Sequence, residues 1–274
     1  MKAAKKTAIQ LTLLASLIST TSAMAADQVT FQLDWLPGGD KAPVYVGIQQ
    51  GFFADEDLEV KIASGRGSTD ALTKMATGQS DIGSSDIGAL MAAKAQDNVP
   101  VVAVYPYFTQ APHAFFVLKS SGIKSIKDLK GKKVATSPFT SSNAFLPLVL
   151  QQNGLSEDDI KLVKSDPGAL APMMITGSTD AIIAWVTNTA LYESQAKGAG
   201  KELIEMPWSS SGLSRYSSSV LASEKFLEER PDVAKRFIKA FAKSIEFTYA
   251  NPDQAGADLH KMVPEVDANI VSAQ

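Results

Sequence analysis

The chain has 274 residues, 45% of them hydrophobic, with 26 Lys and Arg against 29 Asp and Glu and no Cys. That is ample for a packed core without disulfides; it leaves no thiolate for a zinc site or a lipid attachment, and no basic stripe to neutralise nucleic-acid phosphates. Without the three lysines of residues 1–25 the balance is 23 basic to 29 acidic side chains, a net charge of −6.

In chain order the first element is a targeting segment. Lys2, Lys5 and Lys6 make a positive n-region, Ala8 to Ser19 a short apolar run, and Ala23-Met-Ala25 the small residues of a cleavage site. A membrane span takes about 18 or more apolar residues, and this run is shorter and broken by Gln10 and Thr12. Residues 1–25 are therefore expected to be a cleaved export signal that leaves a mature protein in the periplasm.

Val29 to Asp34 reads as a strand, closed by the turn cluster Trp35-Leu-Pro-Gly-Gly39. A helix from Pro43 stops at Gly51, a second strand runs over Leu58 to Ile62, and the loop Ser64-Gly-Arg-Gly-Ser68 leads into an amphipathic helix ended by Gly78. Ser80 to Gly83 is a short third strand, with Ser84-Ser-Asp86 expected at the cap of the helix Ile87 to Ala95. Strands follow at Val101 to Tyr105 and Phe115 to Leu118. The pattern restarts at Gly131 to Thr136, with Ser141-Ser-Asn143 expected to cap the helix Ala144 to Asn153 and Ile182 to Trp185 as its third strand. Ser217 to Ala222 reads as a return strand, and Pro231 to Asn251 as a helix carrying Val233, Phe237, Ile238, Phe241 and Ile245 on one face. A last helix, capped near Asp267, has no closing signal, so the chain is expected to continue beyond Gln274.

The sequence also repeats itself. Gly51-Phe-Phe-Ala-Asp-Glu-Asp-Leu-Glu-Val60 is echoed by Gly154 to Val163 at an offset of 103, and Gly78-Gln-Ser-Asp81 by Gly177-Ser-Thr-Asp180 at an offset of 99. A period this long is no solenoid; it predicts two similar α/β lobes with a ligand between them. The lobes are expected to be 26–112 and 113–214, with 215–274 returning to the first, so that two crossings form a hinge.

Asp34-Trp-Leu-Pro37, the Gly51 to Val60 turn, Gly78-Gln-Ser-Asp-Ile-Gly83, Ile126-Lys-Asp-Leu-Lys-Gly-Lys-Lys-Val-Ala135 and Gly177-Ser-Thr-Asp-Ala181 occur in an order that resembles the solute-binding proteins of ABC importers. More narrowly, the chain resembles the branch that includes the thiamine-pyrimidine-precursor (NMT1/THI5-like) and the taurine, sulfonate and nitrate binders, over residues 29–274. The resemblance implies a type II periplasmic binding fold, a small solute as ligand, and a permease with its ATPase as partners. It departs at Gly38-Gly-Asp-Lys41, where pyrimidine-precursor binders often carry an Asn-rich stretch with a His. The Cys-rich motif of the eukaryotic relatives that synthesise the pyrimidine is absent from a chain with no Cys.

Ligands of a doubly wound sheet sit beyond the carboxyl ends of the strands. That rule selects Asp34 and Trp35, Ser84, Ser85 and Asp86, Ser137, Ser141, Ser142 and Asn143, and Trp185 and Asn188; Arg215 and Tyr216, beside the return crossing, can close over the ligand. Two Trp on opposing lobes can sandwich a flat ring, with Asp34 accepting from an amino group, whereas an anionic ligand would sit on the Ser-rich helix starts. A structural reading stands beside each: Trp on a lobe surface, Asp34 bracing its turn, Ser and Asn as helix caps, Arg215 as a surface charge. His113 and His260, 147 residues apart, read as structural, and no metal, cofactor or catalytic residue is expected. There is no Gly-x-Ser-x-Gly elbow and no Cys nucleophile. The expectation is a monomeric receptor for a thiamine-pyrimidine-precursor-like heterocycle, with a taurine, aliphatic sulfonate or nitrate binder as the alternative and an exported enzyme as the more distant one.

Overall fold

The echo corresponds to two five-stranded sheets with one shared strand order. The computed structural model describes residues 25–274, and the export signal read over residues 1–25 falls outside them except for its last position. The first half runs β1 (Asp27–Gln32), α1 (Ala42–Gln49), β2 (Leu58–Ala63), α2 (Ser68–Ala76), β3 (Ile82–Asp86), α3 (Ile87–Asp97) and β4 (Val101–Pro106). The second half enters with β5 (His113–Leu118) and then repeats the series. Its elements are β6 (Lys133–Thr136), α4 (Ser142–Gln152), β7 (Lys161–Lys164), α5 (Leu170–Ile175), β8 (Ala181–Trp185), α6 (Thr189–Gly198) and β9 (Leu203–Pro207). The chain then returns through β10 (Ser218–Ser223), α7 (Glu224–Glu229), α8 (Pro231–Ala250), α9 (Pro252–Met262) and α10 (Ala268–Ser272).

Sheet one is ordered β2-β1-β3-β10-β4 and sheet two β7-β6-β8-β5-β9. In each, the central pairs are parallel and one visiting strand, β10 or β5, lies antiparallel to both its neighbours. The echoed residues perform the same task in both sheets. The carboxylate of Asp81 accepts from Thr30 N (2.8 Å) while Asp81 N donates to Thr30 O (3.1 Å), and Asp180 makes the same pair of bonds with Lys133, both at 2.8 Å. Each clamp ties the start of the third strand to the first. Gly78 and Gly177 supply the left-handed residue that stops the preceding helix, at φ of 73° and 79°.

The segments that change sheets run side by side. Tyr107 N and Phe108 N donate to Ser218 O at 3.1 and 3.0 Å, and Ser217 N donates to Phe108 O at 3.0 Å. A two-stranded connection of this kind bends without losing its hydrogen bonds, which suits a hinge.

Alternation along the strands sends side chains to two cores per sheet. In β5, Phe115 and Val117 enter the core beneath α4, while Ala114 and Phe116 face α5 and α6. In sheet one, α2 and α3 cover one face, and α1, α8 and α9 the other. Phe237 of α8 is fully buried among Phe31, Phe53 and Phe241, with ring centroids 5.7, 4.9 and 5.9 Å away.

Two expected caps are corrected here. Ser84 and Ser85 lie inside β3, all five of whose residues are buried, and only Asp86 caps α3, accepting from Gly88 N at 2.7 Å. Small polar residues at the end of a buried parallel strand look like a cap in sequence, but the ladder claims their backbone first. Helix α4 begins at Ser142, and its N-cap Ser141 makes no side-chain capping bond.

Phe237→Ala removes a ring from a filled core and is expected to cost about 3–5 kcal/mol, read as a lower urea midpoint with an unchanged slope.

Candidate functional site

The carboxyl ends of the strands in the two sheets converge on one small cavity. Asp34 and Trp35 follow β1, Ser68 opens α2, Trp185 ends β8, Asn188 precedes α6 and Thr140 precedes α4; with Asp40 and Ala184 they line it. Its volume is about 10 Å³, room for roughly one water. Trp35, carried by the first sheet, packs against the α5–α6 core of the second, so its ring spans the cleft. Trp35 and Asn188 also border an outer groove of about 410 Å³ that reaches toward α6 and the α9–α10 connection.

A buried cation occupies the floor. The turn Gly39–Lys41, which leads into Pro43 of α1, folds the Lys41 ammonium inward, leaving the residue 3% exposed. Nζ is 2.6 Å from Asp34 Oδ1 and 2.7 Å from Asp40 Oδ2, and it lies 5.1 Å from the centroid of the Trp185 ring. Asp34 is held from behind by Ser84 Oγ (2.9 Å) and Ser68 Oγ (3.4 Å). Burial alone would lower the Lys41 pKa, but the Asp34 and Asp40 carboxylates more than offset it and hold the ammonium charged; burial raises the Asp40 pKa against the pull of Lys41. Burying these ions is offset only because each one is paired.

A second polar group bridges the lobes next to the crossings. Arg215 donates from Nη1 and Nη2 to both oxygens of Asp86 at 3.0 Å, Ser217 Oγ donates to Asp86 Oδ2 at 2.5 Å, and the guanidinium carbon stands 3.7 Å from the centroid of the Phe145 ring. Arg215 Nη2 also donates to His113 Nε2 at 2.7 Å. An Arg has no acceptor, so Nε2 carries no proton and Nδ1–H donates to Ser142 Oγ at 3.0 Å. Burial lowers the His113 pKa below its ordinary value, which agrees with this neutral tautomer. Burial would raise the Asp86 pKa, but with His113 neutral the Arg215 guanidinium, paired with both carboxylate oxygens, reverses that and holds it below the usual carboxylate range.

The third contact joins the loop before α2 to the loop before α4. Ser137 Oγ donates to Arg66 O (2.8 Å), Thr69 N and Oγ1 donate to Phe139 O (3.1 and 2.9 Å), and the Arg66 guanidinium lies 4.6 Å from the Phe139 ring centroid. Gly67 sits between them at φ 153°, and a Cβ there would collide with the Phe139 carbonyl. Three separate contacts thus hold the lobes together around the cavity.

Four of the residues selected from sequence, Asp34, Trp35, Trp185 and Asn188, meet at the cavity. Ser84 supports Asp34; Ser85 Oγ bonds Ser68 O; Ser137 joins the loop contact; Asn143 braces Thr136 and Ser137; and Ser142, Asp86 and Arg215 belong to the second polar group. Ser141 is buried beside Thr140, and Tyr216 is 61% exposed and away from the cavity. Arg215 is an ion-pair partner instead of a loose surface charge. Sequence reasoning passed over Lys41, Asp40, Ser68 and Thr140; His113, read as structural, is buried in the hydrogen-bonded group between the lobes. The signal for Lys41 was its place in the same turn as Asp34 and Trp35, one residue beyond an acid.

The pH dependence of stability follows from the neutral His113. The charged groups facing it are Asp86 and Arg215, and its other neighbours are the rings of Phe145, Trp185 and Trp208. An unfolded His takes up a proton near pH 6.5 that the folded His113 refuses, so stability falls as pH drops below about 6.5. Urea midpoints taken between pH 7.5 and 5 are expected to decline, with a shallower decline in His113→Asn; equal slopes in the two proteins would contradict the assignment.

Comparison with known proteins places this architecture. The family model "NMT1/THI5 like" matches residues 39–255. A putative thiamine biosynthesis protein of Haemophilus influenzae is 29% identical over 240 residues, covering 87% of this chain and 74% of its own. The riboflavin-binding protein RibY of Chloroflexus aurantiacus is 25% identical over 252 residues, covering 90% and 70%. Among solved structures, the alkanesulfonate-binding protein SsuA of Xanthomonas axonopodis pv. citri, bound to MOPS, superposes with a TM-score of 0.73 at 16% identity, over 90% of this chain and 82% of that one, and shares its fold. The matched span takes in the Asp40–Lys41 turn, every strand except β1, and both crossings, and on it the chain belongs to the NMT1/THI5-like family.

Proposed function

We propose that this protein is the solute-binding component of an ABC import system, exported to the periplasm, where it closes its lobes on a flat nitrogen heterocycle of the thiamine-pyrimidine-precursor type and presents the closed form to a membrane permease. The observation that carries the ligand class is the makeup of the cavity: two Trp and two carboxylates, contributed from both sheets, against a single cation already paired with both acids. Such a lining favours a ring that stacks and donates hydrogen bonds. The names of the two relatives, one in thiamine biosynthesis and one in riboflavin binding, support a heteroaromatic solute.

Backbone donors at the helix starts that would cradle a sulfonate or nitrate are engaged within the protein, although the buried Ser141 Oγ there has no partner. At the start of α4, Ser142 N lies 3.4 Å from Thr140 Oγ1, while Asn143 N and Ala144 N donate to Thr140 O and Ser141 O; at α2, Thr69 N is spent on Phe139 O. The receptor reading needs no bond-making chemistry. Closure by hinge bending at the paired crossings, followed by docking of the closed form, accounts for transport.

Calorimetry with 4-amino-5-hydroxymethyl-2-methylpyrimidine and with taurine tests the reading. The pyrimidine is expected to bind the wild-type protein at one site, and Trp185→Ala to weaken it about tenfold, the loss of roughly 1.4 kcal/mol of stacking. Tighter binding of taurine, or equal losses for both solutes in the variant, would overturn the heterocycle assignment.

A further inference from the structure

The cage around Lys41 is itself a binding site with an occupant. Its ammonium has two carboxylate oxygens at 2.6 and 2.7 Å and an aromatic face 5.1 Å away. Acids on one side and an indole on the other are the surroundings that select an ammonium, amino or amidinium group. The acids come from the turn after β1 and the indole from the end of β8, so the cage is complete only when the lobes are together. The space left beside the ammonium, about 10 Å³, is far too small for a six-membered ring. A solute whose amino group reaches Asp34 and whose ring lies on Trp185 therefore displaces the end of Lys41.

The two acids differ in what lies behind them. Asp34 faces the interlobe cavity alone. Asp40 also borders a second cavity of about 270 Å³ on the far side of the turn, lined with Tyr107, Phe108 and Pro43. The flexible four-carbon stem of Lys41 can carry its ammonium toward that side while it stays paired with Asp40. Asp34 is then free for the solute, and no buried charge is left alone at any stage.

Resting on the receptor reading above, we infer that Lys41 is a built-in stand-in for the amino group of the solute. It fills the Asp34–Trp185 subsite when the cleft is otherwise empty and withdraws onto Asp40 when a solute with an amino or amidinium group enters. The lysine thereby keeps the empty site neutralised, and it admits solutes that can replace a cation against Asp34.

Two variants test this with separate probes. Lys41→Ala opens the cage and leaves two acids without their cation, so it is expected to melt below the wild type. n-Butylammonium chloride, which has the charge and, to within one methylene, the length of the missing side-chain end, is expected to raise its melting temperature saturably, while leaving the wild type unchanged. n-Butanol is expected to do neither. Equal effects of butylammonium on both proteins, or equal rescue by butanol, would overturn the stand-in. Asp40→Asn keeps the Asp34–Lys41 pair neutral and so keeps the fold, but removes the alternative partner of Lys41. It is expected to weaken 4-amino-5-hydroxymethyl-2-methylpyrimidine at least tenfold without a lower melting temperature, and unchanged or tighter binding would overturn the withdrawal. The butylammonium experiment involves no pyrimidine, so rescue of Lys41→Ala in a protein that binds no pyrimidine would sink the pyrimidine reading alone and leave the cation cage standing.

Discussion

Everything else in the molecule depends on the pairing of the two segments that change sheets. Tyr107, Phe108, Ser217 and Ser218 are joined by backbone hydrogen bonds; beyond the first crossing β5 opens the second sheet, and beyond the other β10 returns to the first, each antiparallel to both its neighbours. Because each visiting strand is antiparallel inside an otherwise parallel sheet, neither sheet is complete until the chain has crossed. The crossings therefore serve two purposes. They finish both cores, and they set the ends of β1, β3, β6 and β8 opposite one another, which creates the cleft.

The cleft is then governed by the cost of burying charge. Asp34, Lys41 and Asp86 are nearly inaccessible, and each has an opposite charge within about hydrogen-bond distance. The two polar groups act at different places. The Asp86–Arg215–His113–Ser142 group lies beside the crossings and ties both lobes and the return segment into one network. The Asp34–Lys41–Asp40 group lies at the cavity, where a charge can be exchanged for a solute without leaving an orphan. A buried ion pair broken on one side costs several kcal/mol, and a site that trades one cation for another avoids that cost.

Much of the fold was legible in the residues. Constant offsets between Gly78-Gln-Ser-Asp81 and Gly177-Ser-Thr-Asp180 reflect one local device, a glycine stop and an aspartate clamp, used in both sheets. The apolar spacing of Phe237 and Phe241 gave the face of α8 that packs on β1. Asp34, Trp35, Trp185 and Asn188 were found by the rule that ligands lie beyond strand ends. The serines were harder to place. Ser, whether in a strand end or a helix cap, has the same local signature, and only tertiary pairing decides, as it did for Ser84 and Ser85. The joining of Asp86, His113 and Arg215 was missed for a different reason: Arg215 lies 129 residues from Asp86 and 102 from His113 along the chain, whereas the acids that hold Lys41 are near it in sequence and only its burial was hidden. Long-range charge pairing leaves no periodic trace.

All three tryptophans lie in or beside the cleft: Trp35 and Trp185 line the cavity, and Trp208 is buried 5.4 Å from the His113 ring. Intrinsic fluorescence of the wild-type protein, titrated with 4-amino-5-hydroxymethyl-2-methylpyrimidine, therefore reports directly on whether a ring enters between the lobes. The expected result is a saturable change with a stoichiometry of one that excess taurine does not reverse. A change produced by taurine alone, or fluorescence that stays constant through a complete pyrimidine titration of folded protein, would contradict the account.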